Sequence, residues 1–258
     1  MRRSVRRVFT WALMLASLGA LHCGPMAVPS SEPFRPTRFD YDAFRRPREA
    51  DEVREPNYLP FMGQRFALRE KKEDLIVLCR WDVTRFPLTV YVQPPALDPA
   101  LTDEFNAGKE PTAFTEAAWR ALESWQRSLG GVVTFRRVRS DQSADLRIAL
   151  VGQVGPAPEV GVQVLGTTPM RDACKVTGRS LWPDRLEVAF EVPEIRIYVA
   201  DDHGLLPVDQ VERNVLHEIG HALGMRGHSP IPADLMYEVA RDRRVDRLSV
   251  EDVNSFRA

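Results

Sequence analysis

Histidine is scarce in this chain, with five among 258 residues, and cysteine is scarcer, with three. So few cysteines exclude a small scaffold held together by disulfides, and a 44% hydrophobic content points to an apolar core instead. Charge of one sign is not in excess. The 35 basic and 36 acidic side chains leave a net charge of −1, which argues against a polyanionic partner such as nucleic acid. There is no internal repeat. The longest apolar run, residues 9–21, falls short of the roughly 20 residues a membrane-spanning helix needs.

That run has another reading. Arg2, Arg3, Arg6 and Arg7 precede it and Cys23 follows it, the order of an export signal. A cysteine closing the apolar stretch suggests a bacterial lipoprotein, acylated at Cys23 and anchored to the outer or cell membrane; His22 before it departs from the usual small residue. Free secretion is the alternative. Two cysteines then remain, Cys79 and Cys174, and an exported chain favours their pairing in a disulfide over two separate thiols.

Residues 24–75 are expected to form a linker. Prolines recur from Pro25 to Pro60 among arginines and acids, without an apolar period, and residues 61–75 are charged and ambiguous. From residue 76 the pattern is that of a folded domain running to residue 258. Residues 88–92 read as a strand and residues 112–129 as an amphipathic helix ended by Gly130 and Gly131. Residues 132–138, 146–151, 188–190 and 195–199 read as further strands, while 152–185 read as irregular. Residues 207–223 read as a second helix, with Val208, Val211, Val215, Ile219 and Ala222 as its core stripe. Ser249 resembles the N-cap of a short terminal helix over 250–256.

The chemistry lies where the scarce histidines crowd. His217, Glu218 and His221 stand in the order H-E-x-x-H, followed by Gly224 and His228. Four residues apart on a helix, His217 and His221 share a face and can aim two imidazoles at one zinc ion. Glu218 adjoins the first ligand, where a general base is needed. Gly224 can take a positive φ and end the helix, so that the chain folds back and offers His228. Three protein ligands leave a position open, as in a catalytic zinc site. Asp234 and Glu251 are the alternatives for the third ligand.

The segment resembles the metzincin metalloproteases, whose pattern is H-E-x-x-H-x-x-G-x-x-H followed by a Met-turn. Within them it is similar to the matrixin branch, the matrix metalloproteinases and their bacterial relatives. Ala222, Leu223, Gly224 and Ser229 carry that likeness, and Met236 in Asp-Leu-Met-Tyr is the Met-turn residue. His228 comes one residue late, with Arg226 and Gly227 as the site of the extra residue. The resemblance implies an α+β fold: a twisted mixed sheet, an active-site helix beneath it, a Met-turn and a C-terminal helix. It implies one catalytic zinc, a floor under the metal at Met236, and a monomeric endopeptidase acting on protein or peptide. The substrate would pair with an edge strand, for which residues 161–165 are a candidate. The charged stretch after the Met-turn, including Glu238 and Arg241, would wall the main specificity pocket and admit a polar or acidic side chain, unless it is simply a solvated loop. Cys79 as a zinc-blocking thiol is a further reading of that cysteine. Asp201 and Asp202 are a weak candidate for calcium. The rival functions are a non-catalytic exported lipoprotein or binding module on the same fold, and a zinc hydrolase of non-peptide substrates.

Overall fold

Alternation along the strands and apolar stripes on the helices build one core. The computed structural model describes residues 54–68, 73–97, 109–154, 164–170, 173–181, 184–192, 194–238 and 247–257. The export segment, Cys23, most of the Pro/Arg-rich stretch and residues 239–246 of the charged loop lie outside these.

In chain order, a helical turn α1 (Leu59–Met62) precedes a hairpin of β1 (Gln64–Leu68) and β2 (Glu73–Val77). Strand β3 (Leu88–Gln93), helix α2 (Pro111–Ser128) and strand β4 (Phe135–Arg137) form a crossover unit whose strands are parallel. Strands β5 (Leu146–Val154) and β6 (Gly166–Thr167) come next, then a second hairpin of β7 (Cys174–Leu181) and β8 (Asp184–Phe190). Strands β9 (Glu194–Asp201) and β10 (Gly204–Leu205) lead into α3 (Val208–Ala222), and α4 (Val250–Arg257) follows.

The main sheet runs β10-β9-β5-β3-β4, with β6 also on the outer side of β9. Strands β9, β5, β3 and β4 are parallel; β6 and β10 are antiparallel to β9. In β9, Ile195, Ile197 and Val199 are fully buried while Arg196 is exposed, so one face of the sheet carries the core. Helices α2 and α3 pack against each other. Trp125 Nε1 of α2 donates to the Leu216 carbonyl of α3 at 2.9 Å, and the Trp125 ring meets Phe256 of α4 edge-on at 4.6 Å. This mixed architecture agrees with the α+β expectation at the coarse level. Among the described residues no helix is long and apolar enough to cross a membrane.

Two expectations need correction. The structure does not leave residues 54–62 in a linker. Tyr58 and Leu59 are buried at 1% and 2% exposure. Tyr58 donates its hydroxyl to Asp252 at 2.6 Å and its backbone N–H to Ser255 at 2.8 Å, and Pro56 accepts from Asn254. The Pro/Arg-rich composition hides these contacts because their partners lie almost 200 residues downstream. Nor is 152–185 irregular throughout, since 174–181 pairs with 184–190. Of this hairpin only the 188–190 end reads as a strand in sequence, because residues 175–181, Lys-Val-Thr-Gly-Arg-Ser-Leu, are mostly polar and interrupted by glycine.

Cys79 and Cys174 are joined in a disulfide, which excludes Cys79 as a zinc-blocking thiol. With the two cysteines 95 positions apart in sequence, closing this loop removes denatured-chain entropy equivalent to about 4–5 kcal/mol.

Candidate metal centre

Helix α3 sets the first two imidazoles one turn apart, and its end sets the third. The helix stops in a Schellman turn: Gly224 N–H donates to the His221 carbonyl at 2.9 Å and Met225 N–H to the Gly220 carbonyl at 3.2 Å. Gly224 has φ of +128°, and a Cβ there would fall 2.2 Å from the Cys79 carbonyl oxygen. Glycine is therefore required both for the turn and for the close crossing of the chain segment that precedes β3. That segment seals the helix end, with Trp81 Nε1 donating to the Ala222 carbonyl at 2.8 Å.

The turn orients His221, and the chain near Met236 orients His217. His221 Nδ1 donates to the Met225 carbonyl at 2.6 Å, and His217 Nδ1 donates to the Leu235 carbonyl at 2.8 Å. A carbonyl only accepts, so each Nδ1 carries the proton and each Nε2 presents a lone pair. The two Nε2 atoms face each other at 3.2 Å. Two lone pairs at that distance repel unless a cation sits between them. Nitrogens in a tetrahedral shell of about 2.0–2.1 Å lie about 3.3 Å apart, so the spacing fits a small divalent metal.

His228 completes the group. Its ring stacks on His217 with centroids 5.3 Å apart and meets His221 edge-on at 4.9 Å. The ligand atoms of the three histidines all lie within 4.8 Å of one another, so the cluster can hold a metal ion. The late third histidine is accommodated by anchoring the extra residue. Arg226 N–H donates to the Met62 carbonyl at 3.1 Å, and its guanidinium donates to the Met170 carbonyl at 2.7 Å.

The other predicted residues separate clearly. Met236 is fully buried against the helix, where a Cβ on Gly220 would fall 2.2 Å from its sulfur. Its carbonyl accepts from Ser229 N–H at 2.7 Å, closing the loop that returns from His228. Asp234 accepts the Ser229 hydroxyl, and neither Asp234 nor Glu251 joins the metal cluster found among the described residues. His203 is exposed beside Asp202, and Asp201 accepts the His203 N–H. Asp201 and Asp202 belong to no metal cluster among the described residues.

Glu218 is 7% exposed. Its Oε2 accepts the Thr168 hydroxyl at 2.6 Å, and a Cβ on Gly166 of β6 would lie 2.8 Å from its Oε1. Burial raises its pKa, opposed by His217 and by the Thr168 hydrogen bond. Thr168 was not legible as a site residue, since a lone threonine in a Gly/Pro-rich stretch carries no pattern. Nor was Asp252, although Ser249 and Asp252 cap α4 reciprocally.

Burial holds all three imidazoles below their ordinary pKa. His221 adds to the effect at His217, and His221 then His217 add to it at His228, which falls to about 3. In the unfolded chain each titrates near 6.5. The unfolded state therefore binds more protons below that value, and metal-free protein loses stability as pH falls from about 6.5. For His228, held at about 3 in the folded protein, the loss approaches about 1.4 kcal/mol per pH unit, and His217 and His221 add to it in the same direction. Glu218, shifted upward, works in the opposite direction, but as one group against three. In chelator, the melting temperature is expected to drop from pH 7 to pH 5, and saturating zinc at pH 7 to raise it. A flat profile with no response to metal would refute the cluster.

No protein-family model and no curated protein matches the chain.

Proposed function

We propose that the chain is a zinc-dependent endopeptidase with a metzincin-like, matrixin-type catalytic domain. The observation that carries this reading is the convergence of three imidazoles, two on α3 and one from the chain beyond it, with a buried carboxylate on α3 next to the first of them. The helix ending at Gly224, Met236 packed beneath the helix and the antiparallel edge strand β6 all support it.

His217, His221 and His228 would hold the zinc. When bound, zinc supplies Lewis acidity, lowering the pKa of water to about 7 and polarising a carbonyl. Glu218 takes a proton from the attacking water and delivers it to the leaving amine, which turns a poor leaving group into a neutral one. Strand β6 pairs with β9 on one side, and among the described residues no strand pairs with its other side. An extended substrate chain can add there through main-chain hydrogen bonds. Val164 and Leu165 of the expected edge segment lead directly into β6, with the Leu165 carbonyl accepting from Tyr198 N–H; residues 161–163 lie outside the described part.

The test is metal analysis combined with cleavage of casein and a peptide library. One zinc per chain is expected, with cleavage abolished by a chelator and restored by zinc. A zinc-loaded protein that cleaves no peptide would leave a metal-binding module and sink the peptidase reading.

A further inference from the structure

The carboxylate of Glu218 is gripped from β6 and the residue that follows it. Its Oε2 accepts the Thr168 hydroxyl at 2.6 Å, and the Glu218 backbone carbonyl lies 3.1 Å from the same hydroxyl. Gly166 presses on the opposite oxygen, where a side chain would collide with Oε1 at 2.8 Å and with Cγ at 2.9 Å. A buried carboxylate with a free rotor would sample several orientations. One hydroxyl just after β6 and one missing side chain within it, two residues apart, leave it one.

We infer that Thr168 is a positioning residue that fixes the Glu218 carboxylate and occupies Oε2, so that proton transfer falls to Oε1. The inference rests on the peptidase reading for its catalytic consequence but not for its geometry. The segment made of the open strand β6 and the residue that follows it thereby sets the orientation of the base.

Thr168→Val removes the hydroxyl at nearly constant volume, and Thr168→Ser keeps it. Crystal structures of the metal-free wild type and both variants read the geometry directly. The Glu218 carboxylate should hold its place in wild type and Thr168→Ser and rotate or spread over several positions in Thr168→Val. In peptide cleavage, Thr168→Val should lower kcat about 10- to 100-fold, in the range of a weakened general base. Its KM should stay within about threefold, and Thr168→Ser should recover most of the loss. An unmoved carboxylate in Thr168→Val, or valine and serine variants that fall together in kcat, would overturn the inference. Should wild type cleave nothing beyond the Glu218→Ala background, the peptidase reading fails by itself, and the crystal structures still decide whether Thr168 positions the carboxylate.

Discussion

Replacing Glu218 by alanine is expected to lower kcat for peptide cleavage by about 10²–10⁴-fold while zinc content stays at that of wild type. The separation follows from the geometry. The metal cluster is made of three histidines and does not include Glu218. Each of His217 and His221 is oriented by a backbone carbonyl, of Leu235 and Met225, and neither bond passes through Glu218. Losing the carboxylate should therefore leave the ligands in place and remove only the proton acceptor. Zinc stoichiometry by mass spectrometry and single-substrate kinetics check both halves. Full turnover in Glu218→Ala would eliminate the proposed mechanism, and loss of zinc would show that the carboxylate is structural.

The second large effect is expected one residue removed from the His217 imidazole, at Asp252, which holds the Leu235 backbone. It is fully buried and accepts three hydrogen bonds: Tyr58 hydroxyl at 2.6 Å, Leu235 N–H at 3.0 Å and Ser249 N–H at 2.8 Å. Asp252→Ala leaves these donors without an acceptor, two of them in the core, at a cost of about 3–5 kcal/mol. For a domain of this size that is a fall of about 10 °C in Tm. Leu235 is also the residue whose carbonyl orients His217. Zinc affinity should accordingly drop about 10- to 100-fold, the usual penalty for disturbing a ligand's hydrogen-bond partner. Calorimetry and metal competition measure the two effects separately. A Tm within about 2 °C of wild type, with unchanged affinity, would contradict the role given to Asp252.

These sites show what the sequence could convey. The helix read over residues 207–223 spans Val208–Ala222 in the structure, because its apolar stripe and its Gly224 stop are both local signals. Ser249 capped its helix as read, again by a bond within three residues. The approach of His228 followed from the shortage of other histidines, and the structure adds how Arg226 anchors the extra residue. What escaped was set at long range. Tyr58 looks like part of a polar tail until Asp252 is placed beside it. Thr168 is unremarkable in sequence and gains meaning only once β6 lies against α3. The β7–β8 hairpin was legible only at residues 188–190, because its first strand, with Gly178 among polar residues, carries no clear period.

The disulfide divides the chain into a closed ring and an open tail. The bond between Cys79 and Cys174 encloses β3, α2, β4, β5 and β6, while all three histidines lie beyond it. A protease working inward from the C-terminal end would pass His228, His221 and His217 before meeting a covalent stop. The lock on that end is the clasp between α4 and residues 56–58, which the bonds of Tyr58 to Asp252 and Ser255 hold shut. Resistance to unravelling is thus divided in two: the cross-link encloses β3, β4, β5 and β6, while β9, β10 and the residues that would hold zinc depend on a noncovalent latch and, for the latter, on the metal itself.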